Sequence, residues 1–571
     1  MNRRLLFLIF SILLWASFSI GCASSPDTKD GALTADEARV PVYFDKIPAN
    51  SPYVFTTLKP LPREVVEQYV QFSSMVGKQL DGIDGFNPQS ADTAERFAAA
   101  LFGEIAAADG IEGLEQLGFS SAPQAAIYGI GWFPVMRVTL GDTEAFSALL
   151  DRVEQKSGLV PQMRASGAVT YRQYDGGDAK FAVAITNGQL IVGIAPTEAF
   201  DEFVGYLFGQ KELGRTLAEV NSIQDIQAKY QMAPYGVGYV DILEIVRNAT
   251  GVTPADPVNA AMLKAGQFEP RELSEVCQRE SIAMAEKAPR LVFGYTTVSS
   301  EQIAAKVALE VQGPFAAELA AISAAIPGYN ESTLGELLFS VGLGIDLKKA
   351  VDFANTQANR INENPFECEE FANLNEAAAS TTGMSGMIPQ FLTTLRGAFV
   401  GVHEADFNQG TDSVKGVALL GSSNPMDVFA QLRTFVPQLQ NIQLKPDGVA
   451  VSVPELAQAT DLSNFFIMMN EKVLGVSTGA GMENAVSQRI QSQSVGTDAP
   501  LLLLSYDYGL VMREFGRQTS MGAADPQTAE LLNTMSRVLG LVVMKFYATD
   551  HALVMDYQMA INPGAASAAT P

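Results

Sequence analysis

The chain repeats its own run of elements, and this limits its fold more than any other feature. Tyr53-Val54-Phe55-Thr56-Thr57-Leu58, followed by a helical pattern over 63–72, is matched by Leu337-Leu338-Phe339-Ser340-Val341-Gly342 and a helical pattern over 347–358. Val138-Thr139-Leu140 leads to a helix with Phe146 and Leu149. Its counterpart, Val417-Ala418-Leu419, leads to a helix with Phe429 and Leu432. Residues 181–186 are apolar and β-branched, Asn187-Gly188 is a type I′ turn signal, and 190–194 returns, which predicts a hairpin. The matching hairpin runs over 465–469, turns at Asn470-Glu471 and returns over 473–476. A helix is expected after each, from Thr197 and from Met482. The cleanest match comes last. Ile303, Ala305, Val307, Leu309 and Val311 alternate with polar or small residues, and Leu553, Met555, Tyr557, Met559 and Ile561 do the same 250 positions later. Such a period of two marks one buried sheet face. The preceding strands, 291–298 and 541–548, keep the same offset.

Antiparallel hairpins interleaved with helices predict an α+β class, as two tandem similar domains over 40–312 and 328–562. Upstream of the last hairpin the offset is near 280, so the second copy is shorter by roughly 30 residues. The extra residues fall in 246–288, with a Pro-rich break at 253–257 and a helical segment over 269–287. The Ala-rich 313–327 is expected to be a linking helix, and 563–571 a frayed tail. The order of strands and helices is similar, across both halves, to a family of uncharacterised bacterial envelope domains. That resemblance implies no assigned activity.

The first 22 residues give an address. Arg3 and Arg4 precede an almost unbroken apolar run over 5–15. Small and apolar residues follow to Ser19-Ile20-Gly21-Cys22, and then polar Ser24-Ser25-Pro26-Asp27. This is the layout of a secretory signal peptide, and its apolar run is shorter than the roughly 20 residues a spanning helix needs. With the cysteine at its end, it resembles the signal of bacterial lipoproteins. The resemblance implies removal of 1–21 and lipid on Cys22. Ala23, where an aspartate would retain many lipoproteins at the inner membrane, implies the outer membrane. Residues 22–39 then form a lipidated flexible tether, and the body is expected to be periplasmic or surface-exposed.

Removing 1–21 leaves 550 residues, too many for one ordinary core. The formal charge is −25, and losing Arg3 and Arg4 makes it −27. Such a body is repelled by nucleic acid and anionic lipid, so membrane contact is expected through the anchor only. Two cysteines then remain, Cys277 and Cys368, 91 positions apart. In an exported chain they suggest a disulfide linking the two domains; the alternative is two buried free thiols. Two cysteines and two histidines, scattered, show no ligand spacing, and neither metal nor cofactor is expected. Asp81, Asp84 and Asn87 lack an EF-hand spacing, and the acidic run at Glu367, Glu369 and Glu370 reads as a solvated loop.

One stretch invites a catalytic reading. Gly475-Val476-Ser477-Thr478-Gly479 fits the Gly-x-Ser-x-Gly nucleophile pattern, with Asp507 or Asp550 and then His551 as partners. Against it, the aligned first-copy corner, Gly193-Ile194-Ala195-Pro196-Thr197, has no serine. His551 aligns with Glu301 at a hairpin turn, and the pattern belongs to parallel sheets. His403, past the apolar run 398–402, reads as structural. No catalytic residue is therefore expected. The leading expectation is a lipid-anchored envelope protein that binds or assembles. The alternatives are a carrier of lipid or another apolar ligand, and a hydrolase using Ser477.

Overall fold

The computed structural model describes residues 41–562 except 68–69, 71–92, 109, 253–255, 268–272, 385–386, 406–412, 461, 463, 492–498 and 514–534. The signal segment with Cys22, the tether, the tail and Asp81, Asp84 and Asn87 lie outside these residues. The chain divides into two compact units. The first runs to Glu272 and takes in Pro289–Val307 and the chain from Ile561. The second comprises Leu273–Ala288 and Ala308–Ala560.

The strands of the first unit are β1 (Tyr53–Thr56), β2 (Ala125–Ile130), β3 (Phe133–Thr139), β4 (Gln162–Ser166), β5 (Val169–Asp175), β6 (Ala179–Thr186), β7 (Gln189–Pro196), β8 (Val237–Asp241) and β9 (Arg290–Val298). They hydrogen-bond in the order β4-β5-β6-β7-β3-β2-β1-β8-β9, antiparallel throughout. β10 (Gln302–Glu310) follows β9 through a turn that Ser299 closes, its hydroxyl accepting from the Gln302 N–H. The predicted hairpin is β6–β7, and Asn187 (φ 51°) and Gly188 (φ 73°) take the left-handed conformations a type I′ turn demands. Helix Thr143–Ser157 buries Phe146, Leu149, Leu150 and Val153, with Asp142 accepting from the Glu144 and Ala145 N–H groups at its start.

The second unit contains β11 (Phe339–Leu343), β12 (Leu395–Glu404), β13 (Lys415–Ser422), β14 (Val451–Ser452), β15 (Phe465–Met469), β16 (Val473–Thr478), β17 (Leu502–Asp507) and β18 (Leu539–Ala548). Their order is β14-β15-β16-β13-β12-β11-β17-β18, again antiparallel. β19 (Ala552–Ile561) follows β18 through a turn closed by Thr549, which accepts from the Ala552 N–H. The core joins Phe399, Val417, Leu419 and Leu503 of the sheet to Met482, Val486 and Ile490 of helix Met482–Gln491.

The class is α+β. Strand for strand, the second order repeats the first, with β4 lacking a counterpart among the described residues. Local devices recur too. Asp142 and Asn424 cap the helices after β3 and β13, and Asp241 and Asp507 cap those after β8 and β17. The expected helix over 269–287 is shorter, Glu275–Lys287, because Ser274 caps it by accepting from the Cys277 N–H. That helix belongs to the second unit. Of the expected linking helix, only Phe315–Ala320 is helical. The turn at Asn470 is built differently from its counterpart, since its side chain accepts from the Lys472 and Val473 N–H groups.

Candidate functional site

Ser477 sits inside β16, opposite Val417 of β13 and Phe466 of β15. It is buried, and its hydroxyl has no hydrogen-bond partner. The chain turns only afterwards, at Gly479 and Gly481, both with positive φ, before the helix that starts at Met482. A nucleophile elbow holds its serine on the turn itself, so this is not one. Strand register pairs Ser477 with Gly193 of the first unit, since Val135 faces Gly193 as Val417 faces Ser477. Sequence comparison puts Ala195 there, two positions along; either way no serine stands at that position in the first unit.

The proposed partners are occupied elsewhere. Asp507 Oδ1 accepts from the Leu510 N–H. Asp550 pairs with His551 on the exposed turn before β19. A serine hydroxyl with no base is a poor nucleophile. Ser477→Ala is expected to change unfolding free energy by less than about 1 kcal/mol, because no hydrogen bond is lost. Any esterase rate should be unaltered as well. A fall in both on urea titration and ester assay would return Ser477 to a functional role.

His403 lies on β12 beside a register shift between Val402 and Glu404, half-buried, its Nε2 without a partner. Burial first, then the charge of Arg489, hold its imidazole below the ordinary 6.5, against the opposing pull of Glu336 and Glu404. The unfolded chain therefore takes up a proton at a higher pH than the folded one. Stability contributed by neutral His403 is present above about pH 6.5 and is lost as pH falls through the lower folded value. Urea midpoints at pH 8 and pH 5 should differ less in His403→Gln than in the unaltered chain. An equal difference would acquit the imidazole.

Each unit also buries an arginine beside an aromatic ring. In the first unit, Arg137 of β3 donates to Tyr128 Oη at 2.9 Å and to the Leu207 carbonyl at 3.2 Å. In the second, Arg489 of helix Met482–Gln491 lies 5.4 Å from the Phe399 ring centre. It donates to the carbonyls of Gly328 at 3.4 Å and Thr333 at 3.3 Å. Carbonyls and a phenol orient these cations as structural members of the core.

Cys277 and Cys368 form a disulfide, with Cα atoms 4.8 Å apart and both residues buried. The bridge lies within the second unit, since Cys277 sits on the helix that joins it. The acidic run around Cys368 is engaged with that helix, the Glu367 and Cys368 N–H groups donating to the Glu280 carboxylate. Sequence reasoning missed Glu280, because a carboxylate on a solvated helix face carries no sign of a distant backbone partner.

Two surface features remain. In the first unit, a hollow of about 10 Å³ lies beside Phe55, Ile127, Tyr235 and Tyr295, room for roughly one water molecule. In the second, Phe339, Leu343 and Val400 stand on the sheet face opposite helix Met482–Gln491, 38%, 43% and 43% exposed. Among the described residues, no group of three or more His, Cys, Asp or Glu could hold a metal ion. Among them, too, no helix is long and apolar enough to cross a membrane. No family model, no curated protein and no solved structure matches the chain.

Proposed function

We propose that this chain is an exported lipoprotein, acylated at Cys22 and held at the outer membrane by that lipid. Its body acts by binding or assembly, without catalysing a reaction. The observation that carries this reading is Cys22 itself, placed after Gly21 at the end of a positively started apolar segment. A cysteine bearing several acyl chains anchors stably, where a single chain binds only marginally. The Cys277–Cys368 bridge supports an oxidising compartment. The apolar row of Phe339, Leu343 and Val400 supports action by contact with another surface. A hollow the size of one water lends nothing to an apolar carrier.

We further propose that the two units arose by tandem duplication. The shared strand order, the paired caps Asp142/Asn424 and Asp241/Asp507, and the paired turn residues Ser299/Thr549 support it. Unrelated sheets have no reason to agree in all of these.

Cys22→Ser tests the anchor. The expected result is accumulation of an uncleaved precursor, with loss of acyl incorporation and of partitioning into detergent. Normal processing and full solubility of the product would reject the lipoprotein reading. Crosslinking in cells, followed by purification of the intact lipoprotein, tests the second clause. Recovery of one specific envelope protein supports binding or assembly, and recovery of none counts against it.

A further inference from the structure

Helix Glu275–Lys287 is a loan between the halves of the polypeptide. The chain before it, to Glu272, and after it, from Pro289, belongs to the first unit; the helix belongs to the second. Its apolar hold there is slight. Cys277 and Ala285 are its buried residues, and the helix packs sparsely against any one described element. Elements with few buried contacts open first, well below the free energy of global unfolding.

At its end the Lys287 carbonyl accepts from the Gln312 N–H at 2.8 Å, while its N-terminal half is tied to one segment, 367–368. Cys277 bridges to Cys368. One turn on, the Glu280 carboxylate accepts from the Glu367 N–H at 2.9 Å and the Cys368 N–H at 3.1 Å. Arg279 lies 3.7 Å from the Glu367 carboxylate, both side chains largely exposed, a pair that contributes little in water. The Glu280 bonds are charge-assisted and directional, but they form only once the helix is already seated.

We propose that the Cys277–Cys368 bridge is the fastener of this helix, holding a piece of the chain's first half on the second unit where packing alone would not keep it. The bridge keeps every opening local and brief, so that Glu280 re-forms its two bonds. Without it, the helix is free to leave while the sheet beneath stays folded.

The test is amide hydrogen exchange on the full mature chain, read over 278–287 and over β13 and β16. In the double variant Cys277→Ala, Cys368→Ala, protection over 278–287 is expected to fall at least tenfold, with β13 and β16 unchanged. Unchanged protection over 278–287 would overturn the proposal, because packing then suffices. A fall throughout both segments would overturn it too, the bridge then supporting the whole unit. Glu280→Ala with the bridge intact should alter helix protection by no more than a few fold. A loss as large as that of the double variant would make Glu280 the fastener instead.

Discussion

Phe399→Ala is expected to destabilise the second unit by about 4 kcal/mol, the usual cost of emptying a buried aromatic site. Phe399 is 1% exposed, at the centre of the core cluster, between Gly342 of β11 and Leu419 of β13. Its ring faces the Arg489 guanidinium, so truncation also deprives a buried cation of its aromatic neighbour. Collapse into the space is limited, because the flanking residues on its sheet face are already fixed by helix Met482–Gln491. Urea unfolding of the variant reads the loss directly. A change below about 1 kcal/mol would mean the core refills, contrary to the usual cavity cost.

The second large effect is overpacking. Gly475 of β16 passes beneath the same helix so closely that an added Cβ would stand 2.7 Å from Ile490 Cδ1, 2.9 Å from Leu419 Cδ2 and 3.0 Å from Val486 Cγ2. Gly475→Ile is expected to cost about 3 kcal/mol, because three fixed side chains must yield at once. The substitution is pointed, since register makes Ile191 the equivalent residue of the first unit: Arg137 faces Ile191 as Leu419 faces Gly475. If the variant unfolds at the same urea concentration as the parent, the helix is free to shift outward and the close approach is not a constraint.

These two positions show what sequence could and could not yield. Two matched rows cross the central strands. Ala126, Arg137 and Ile191 in the first unit occupy the places that Phe399, Leu419 and Gly475 hold in the second. In the adjacent row, Tyr128, Val135 and Gly193 stand where the second unit has Gly401, Val417 and Ser477. Large and small residues stand in opposite places along β12 and β16 compared with β2 and β7. A backbone can keep its hydrogen-bond ladder while the side chains above it are packed anew. Apolar alternation and turn residues therefore survived comparison of the halves, and Asn187-Gly188 or Phe465–Met469 could be recognised. Residue identity at single positions is not shared, so sequence comparison places the serine corner two residues out of register. The helix over 275–287 was visible, but its membership of the second unit was not, since nothing local in its sequence names the surface it joins. The Cys277–Cys368 pair was legible only as an option, because arithmetic on cysteines cannot bring two segments together. The residue on which the proposed function rests, Cys22, lies outside the described residues.

The bridge has a further consequence for the order of events during synthesis. A chain delivered N-terminus first exposes Cys277 while Cys368 is still 91 residues behind, with no other cysteine between them. On the proposed acylation of Cys22, the waiting thiol has a single eventual partner in its own chain. Oxidation then has one intramolecular solution, and the polypeptide has no mispaired isomer to escape from.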